Sequence, residues 1–197
     1  MGILDILLGR TKAVAPDLDQ LFGLPSAAVA LQAATGYTPT GTGAVCFATV
    51  EGAAFAQTHR DVRELLDADA GRIDSPVELA QDEYGYSWLV SRRAPDDLPA
   101  LVSDLHAVNS ALESSGFGPQ LLCSVVGFEE AEAAGQRRLG LVYLYKRGTF
   151  YPFAPLAGVG RRRDNALELQ IKAALADDLR IEQDLSRWFP VWGAPGL

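Results

Sequence analysis

The sequence predicts an α+β fold, in which an antiparallel sheet of about five or six strands is covered by helices mainly on one face. Apolar strand patterns follow one another directly along the chain, and helical patterns come after them. Consecutive strands of this kind pair antiparallel, and the helices bury one face of the sheet. Of the 197 residues 48% are hydrophobic, which is enough for a sizeable core.

The N-terminal part divides into an extension and the start of the fold. Residues 1–16 predict an amphipathic, flexible segment, and residues 17–197 a single α+β domain, because no linker-like composition divides them. The extension packs on its own domain or makes a weak contact with a membrane surface. One or two helical turns are expected over 17–23. Residues 26–34 stay open between helix and strand, because their alanines favour helix whereas their apolar residues also alternate.

The rest of the chain alternates strands and helices. The clearest helix is 98–114, where Asp97 can cap the first turn, Pro99 fits it, and Gly116 ends the helix. Its apolar stripe is Leu98, Leu101, Val102, Leu105, Val108 and Leu112. The predicted elements are a loop at 35–43, a strand at 44–50, a helix at 53–68, two strands within 77–93, strands at 121–128 and 139–147, and a helix at 164–177.

Composition, charge and residue spacing argue against several classes of function. The net charge of −8 opposes nucleic acid and anionic membrane as general partners. No signal peptide and no membrane span is visible, so we expect a cytoplasmic protein, or one peripheral to the inner face of the cell membrane. Cys46 and Cys123 lie in apolar strand patterns and predict core thiols rather than nucleophiles. Metal-binding spacings are missing, so no cofactor, metal or catalytic residue is predicted, and we expect no enzyme.

Aromatic residues near the end of the chain form the candidate partner-binding surface. The stretch KRGTFYPF (146–153) departs from the RNA-recognition strand it resembles, and Pro152 limits it to an edge strand or its exit. We expect its rings to leave the strand and cover the end of the core. The tail around RWFPVW must dock on its own domain or on a partner. The candidate contact residues are Phe150, Tyr151, Phe153, Trp188, Phe189 and Trp192.

Basic residues suggest a second candidate site. Arg161, Arg162 and Arg163 stand just before a predicted helix that begins at Asp164, where cations are unfavourable unless an anion binds there. They could hold a small anionic ligand, which would make the protein a ligand-binding protein or an enzyme that uses this loop, or the segment is a solvated loop. Arginine pairs elsewhere either converge into a cationic patch or are dispersed for solubility.

Four stretches together resemble the prokaryotic PspAB family. They are DLDQLFGLPSAAVALQAATGYTPTGTGAVCF, DDLPALVSDLHAVNSALESSGFGPQLLCSVVGF, LVYLYKRGTFYPFAP and DLSRWFPVWGAPGL. The resemblance implies a protein partner, either phage-shock protein A or an HtpX-type membrane protease, in a phage-shock-type envelope-stress response. It supplies no functional residues. The element order is also similar to the type III secretion chaperone and YbjN-like fold, whose members often dimerise. We therefore expect a non-catalytic adaptor or regulator, with a homodimer as an open question.

Overall fold

The computed structural model describes residues 16–49, 52–67, 77–130, 137–158 and 160–197. The α-helices in these ranges are α1 (Leu24–Thr35), α2 (Ala53–Asp67), α3 (Leu98–Leu112) and α4 (Asn165–Ala174). The strands are β1 (Tyr37–Ala48), β2 (Glu78–Gln81), β3 (Tyr86–Arg92), β4 (Leu121–Glu130), β5 (Arg138–Leu144) and β6 (Thr149–Phe153). The predicted extension lies outside the described residues except for Pro16, so the boundary at residue 16 stays a prediction.

The six strands form one antiparallel sheet in the order β2-β3-β1-β4-β5-β6. Its central strands β1 and β4 are therefore neighbours although they are far apart in the chain. Helices α2 and α3 lie on one face, which we call the helix face. Phe47 of β1 packs on Phe55 of α2, with ring centroids 5.2 Å apart. Ser124 of β4 accepts a hydrogen bond from Asn109 of α3 at 2.9 Å. The predicted fold class is confirmed.

Helix α3 follows its sequence pattern closely. The Asp97 carboxylate accepts a hydrogen bond from the backbone N–H of Ala100 at 3.3 Å, as a helix cap should. All six residues of the predicted apolar stripe are buried against the sheet. The helical run ends at Gly116, whose φ of +86° is the left-handed conformation that glycine tolerates best.

The ambiguity over residues 26–34 is decided in favour of a helix. Pro25 occupies the first turn of α1, and Gly36 ends the helix in the left-handed conformation. Leu31 and Ala27 face the core, whereas Val29 stays 70% exposed. The alternation of apolar residues that suggested a strand is therefore a chance pattern in an alanine-rich helix.

Strand β1 begins at Tyr37, so the predicted loop at 35–43 was wrong. The residues rich in glycine, threonine and proline pair with β4, beginning opposite Glu130, and the register shifts within them. Gly41 has φ +76°, and a Cβ at this position would lie 2.1 Å from the backbone oxygen of Arg93. The turn-forming composition thus serves a bulge inside a strand rather than a loop.

Strand β6 contains the aromatic run that was predicted to leave the strand. That prediction was wrong, because every residue from Thr149 to Phe153 pairs with β5 and is buried. The backbone N–H of Phe150 points away from β5 and donates to the Arg180 oxygen at 2.8 Å. Pro152, two residues on, faces the same outer side, so its missing N–H costs no bond to β5. The predicted edge position of Pro152 is correct.

The outer edge of β6 is covered by residues 180–182, and Glu182 holds this cover in place. The backbone N–H of Glu182 donates to the Phe150 oxygen at 2.8 Å. Its buried carboxylate accepts hydrogen bonds from Arg147 at 2.6 Å, Thr149 at 3.0 Å and the backbone N–H of Asp184 at 3.1 Å. Burial alone would raise the pKa of Glu182, but these three bonds outweigh it and lower the pKa below its ordinary value of 4.5.

We expect Glu182→Gln to destabilise the protein by about 1–3 kcal/mol at pH 7, because charged hydrogen bonds are lost. A carboxyl whose pKa is lower in the folded state stabilises above pH 4.5, and that stabilisation disappears as the pH falls through the folded pKa. The difference from wild type should therefore shrink below pH 4.5 in urea titrations. The control Glu129→Gln removes a half-exposed partner of Arg138 and should change little. A deficit for Glu182→Gln that stays constant down to pH 3 would contradict this account.

Within the described part of the chain, no helix combines the length and the apolar character that crossing a lipid bilayer requires.

Candidate functional site

The face of the sheet opposite the helices is covered by the last residues of the chain. We call residues 188–197 the C-terminal strap. Trp188 stacks on Tyr151 of β6 with ring centroids 5.9 Å apart, and Trp192 packs edge-on against Phe153 at 4.9 Å. The strap therefore completes the core on the face opposite α2 and α3.

Hydrogen bonds and close backbone packing hold the strap on the sheet. The Tyr151 hydroxyl donates to the Phe189 carbonyl oxygen at 2.7 Å. Burial raises the pKa of this hydroxyl well above its ordinary value, so it remains a donor. Further along, a Cβ at Gly127 would come within 2.9 Å of the Gly196 oxygen. Glycine at this position of β4 lets the strap approach the sheet backbone directly.

Arg163 anchors the strap from the loop before α4. Its guanidinium donates to the Trp188 carbonyl oxygen at 2.7 Å and to both carboxylate oxygens of Glu168 at 2.8 and 3.0 Å. It also lies over the Phe153 ring, 5.1 Å from the centroid. Glu168 is buried, which raises the pKa of its carboxyl against the opposing bonds from Arg163 and the Ala154 N–H. Arg163 therefore stabilises the folded structure.

Between the strap and the sheet lies a cavity of about 660 Å³, which we call the strap cavity. Volumes of this size hold drug-sized ligands or inserted side chains. Its floor is made of Cys46, Trp88, Cys123 and Tyr151, and one wall is the strap from Phe189 to Trp192. Tyr84, Tyr86 and Arg161 contribute to its lining from the β2–β3 hairpin and the loop before α4.

The mouth of the strap cavity is aromatic. Phe189 is 59% exposed, and Tyr84 and Tyr86 are 46% and 44% exposed. Arg161 lies over the Tyr84 ring at 5.1 Å and donates to the Glu83 carboxylate at 2.5 Å. A cluster of exposed rings around a pocket is typical of a protein-binding surface.

One carboxylate of the cavity is held rigidly. Asp82 accepts hydrogen bonds from the Trp88 indole N–H and from the backbone N–H groups of Tyr84 and Tyr86, each at 2.9 Å. These bonds close the hairpin between β2 and β3 and fix the orientation of Trp88. The Asp82 carboxylate therefore positions the aromatic residues around it.

The structure splits the six aromatic residues predicted from the sequence. Phe150, Tyr151, Phe153 and Trp188 are buried, with 0%, 1%, 0% and 6% exposure. Where they lie they cannot touch a partner, because packing in the sheet and under the strap consumes their surface. Phe150 is on the helix face, where its ring packs against Tyr143 at 5.1 Å. Of the six, Phe189 is exposed and Trp192 is half-buried.

The three arginines predicted to hold an anion have separate surroundings. Arg161 is paired with Glu83 at the rim of the cavity, and Arg163 with Glu168 beneath the strap. Arg162 is exposed. An anionic ligand would have to displace two carboxylates to use this set, so the arrangement weighs against an anion site.

The arginine pairs elsewhere are also neutralised by carboxylates rather than gathered into a cationic patch. Ion pairs at 4.0 Å or less join Arg92–Glu78, Arg93–Asp104, Arg137–Glu130, Arg137–Asp164, Arg138–Glu129, Arg147–Glu182 and Arg187–Asp184.

Sequence reasoning missed the contribution of the β2–β3 hairpin and the cysteines to the site. Tyr84, Tyr86 and Trp88 recur at every second residue, a spacing that indicates one face of a strand. That signal was available. The two cysteines were expected in the core, and they are buried, but they also line the strap cavity.

The histidines are separated from the thiols by the sheet. His59 and His106 are on α2 and α3, the helices of the helix face, whereas both cysteines line the strap cavity on the other face. No thiol–imidazole pair forms between them. Among the described residues there is also no group of three His, Cys, Asp or Glu side chains that could hold a metal ion.

Comparison with known families decides the affiliation of this chain. A family model described as PspAB, PspA associated protein B, matches residues 1–196. The chain belongs to the PspAB family. No curated protein and no solved structure matches it. The PspAB description links the protein to phage-shock protein A (PspA), so a phage-shock-associated role is its coarse functional assignment. The expected likeness to secretion chaperones stays a prediction.

Proposed function

We propose that this PspAB protein is a non-catalytic adaptor that binds PspA through the mouth of the strap cavity. The family description names PspA and so supports it as the partner. The observation that carries the proposal is the 660 Å³ cavity with the exposed rings of Tyr84, Tyr86 and Phe189 beside it. Aromatic side chains around a pocket give the large contact area on which binding energy concentrates.

The mouth of the cavity also indicates what the bound part of PspA offers. The pocket is lined mainly by apolar side chains, which suits an apolar side chain from the partner. Asp82 lines the pocket, Glu83 beside it is paired with Arg161, and the chain carries a net charge of −8. We therefore expect a basic residue next to the inserted apolar one, since complementary charge speeds association and fixes orientation. We therefore propose that the adaptor works in the cytoplasm, peripheral to the inner face of the membrane.

We expect Phe189→Ala and Tyr84→Ala each to weaken binding to purified PspA at least tenfold, about 1.4 kcal/mol. Both rings are largely exposed, so their truncation should leave the folded structure intact. Isothermal titration calorimetry measures the affinity, and circular dichroism checks the fold. The matched control is Leu169→Ala on α4, which removes an apolar side chain of similar exposure, 49%, away from the cavity.

The outcomes test the assigned binding surface and the identity of the partner separately. If PspA binds both cavity variants as tightly as wild type, the assigned surface is wrong. If wild-type protein does not bind PspA at all, the adaptor role toward PspA is wrong, and an HtpX-type protease or a second copy of this chain takes its place as the candidate. Light scattering of the free protein reports the second copy directly.

A further inference from the structure

The two cysteines of the chain face each other across the central strands. Cys46 of β1 and Cys123 of β4 are direct partners in the antiparallel register. Residues in this relation have Cα atoms roughly 4.5–5.5 Å apart, and disulfides span Cα separations of about 4.4–6.8 Å. The chain holds two cysteines in total, so each is the other's one intramolecular partner. The backbone is therefore already placed for a bond between them.

The two thiols also influence one another. Both are free and buried. The neighbouring Cys123 thiol, together with burial, raises the pKa of the Cys46 thiol. Cys123 is the more exposed of the two, at 7% against 4%. Because a thiol with a raised pKa is the poorer nucleophile, we assign the first attack to Cys123 and the second to Cys46.

Access distinguishes this pair from thiols sealed in a core. Both cysteines line the strap cavity, which has a volume of about 660 Å³ and an aromatic mouth open to solvent. We expect a low-molecular-weight disulfide such as glutathione disulfide to reach the floor through that mouth. Buried cysteines without such a route are inert.

We propose that Cys46 and Cys123 form a redox site that closes to a cross-strand disulfide at the floor of the strap cavity. The oxidant is a low-molecular-weight disulfide. The Cys123 thiolate attacks one sulfur of that disulfide, which releases one small thiol and leaves a mixed disulfide on Cys123. The Cys46 thiolate then attacks the Cys123 sulfur and releases the second small thiol. Two protein thiols are oxidised, and their two protons pass to the two small thiols released.

The test uses the full-length protein and mixtures of reduced glutathione and glutathione disulfide. Intact mass spectrometry should show a loss of about 2 Da, for two hydrogens, as the mixture becomes more oxidising, and the mass should return on reduction. Trypsin should then yield peptide 13–60 linked to peptide 94–137, which carry one cysteine each. No partner is needed, so this experiment fails or succeeds independently of the proposed adaptor role.

Two variants give the order of events. Cys46→Ser should stop at the glutathione adduct on Cys123, whereas Cys123→Ser should react far more slowly. A folded wild-type protein whose thiols both stay free in excess glutathione disulfide would overturn the proposal. A disulfide between two copies, seen as a dimer on a non-reducing gel, would overturn it too. Equal rates of adduct formation in the two variants would overturn the assigned order.

Discussion

Asp104→Asn is expected to destabilise the protein by about 3–5 kcal/mol, one of the largest effects that the structure predicts for a single substitution. Asp104 and Arg93 form a bidentate ion pair with two 2.8 Å hydrogen bonds, and their side chains are only 4% and 3% exposed. The hydroxyl of Ser91 donates to the same carboxylate at 2.6 Å. Removing the negative charge breaks a buried ion pair and takes a charged hydrogen-bond partner from the buried guanidinium, which is costly.

A neighbouring ion pair gives the control. Arg92 and Glu78 are also 2.8 Å apart, but their side chains are 42% and 50% exposed. Glu78→Gln should therefore change the free energy of unfolding by less than about 1 kcal/mol. Urea denaturation followed by circular dichroism measures both variants. A loss below 1 kcal/mol for Asp104→Asn would show that the buried ion pair does not stabilise the fold as expected.

Trp188→Ala is expected to cost about 3–5 kcal/mol, as large truncations in a core do. The indole is 6% exposed and stacks on Tyr151, and its ring N–H donates to the backbone carbonyl oxygen of Glu182 at 3.0 Å. Its own carbonyl oxygen accepts the hydrogen bond from Arg163. The substitution removes the first anchor of the C-terminal strap, so we expect the strap to loosen as the protein loses stability.

The adjacent residue provides the comparison for Trp188. Phe189→Ala truncates a ring that is 59% exposed, so it should leave the free energy of unfolding nearly unchanged while it weakens PspA binding. Chemical denaturation gives the stabilities, and limited proteolysis reports release of the strap. Equal stability of the two variants would mean that the strap is not anchored at Trp188. A binding defect in Trp188→Ala by itself says nothing about direct contact, because the fold changes with it.

Local sequence patterns correctly predicted those helices and strands whose environment is uniform along their length. Helix α3 was predictable because its apolar stripe, its cap and its terminal glycine all agree with one another. Pro152 correctly indicated an edge strand because a missing N–H is tolerated only where no ladder bond is needed. The prediction of a loop at residues 35–43 was wrong, because the residue types that mark a turn also form a bulge. Strand β4, with which these residues pair, is far away in the sequence.

The candidate site was predictable only in part, since burial of an aromatic ring depends on what lies over it. Phe189 and Trp188 are adjacent aromatic residues in the sequence, yet Phe189 is exposed and Trp188 is buried. The difference arises because the strap lies on the sheet, and no local sequence pattern predicts that contact. The arginines before α4 show the same limit, because Glu83 and Glu168 reach them from different parts of the fold.

The amino-acid sequence by itself determined the fold class, the capped helix α3 and the family of this protein, because these rest on local periodicity and on stretches of characteristic residues. Only the tertiary structure decided that the C-terminal strap covers the second face of the sheet, that a cavity remains beneath it, and that Cys46 and Cys123 meet there. Strand order and register bring these residues together. Both are set by the summed burial of distant segments, which no short window of sequence contains.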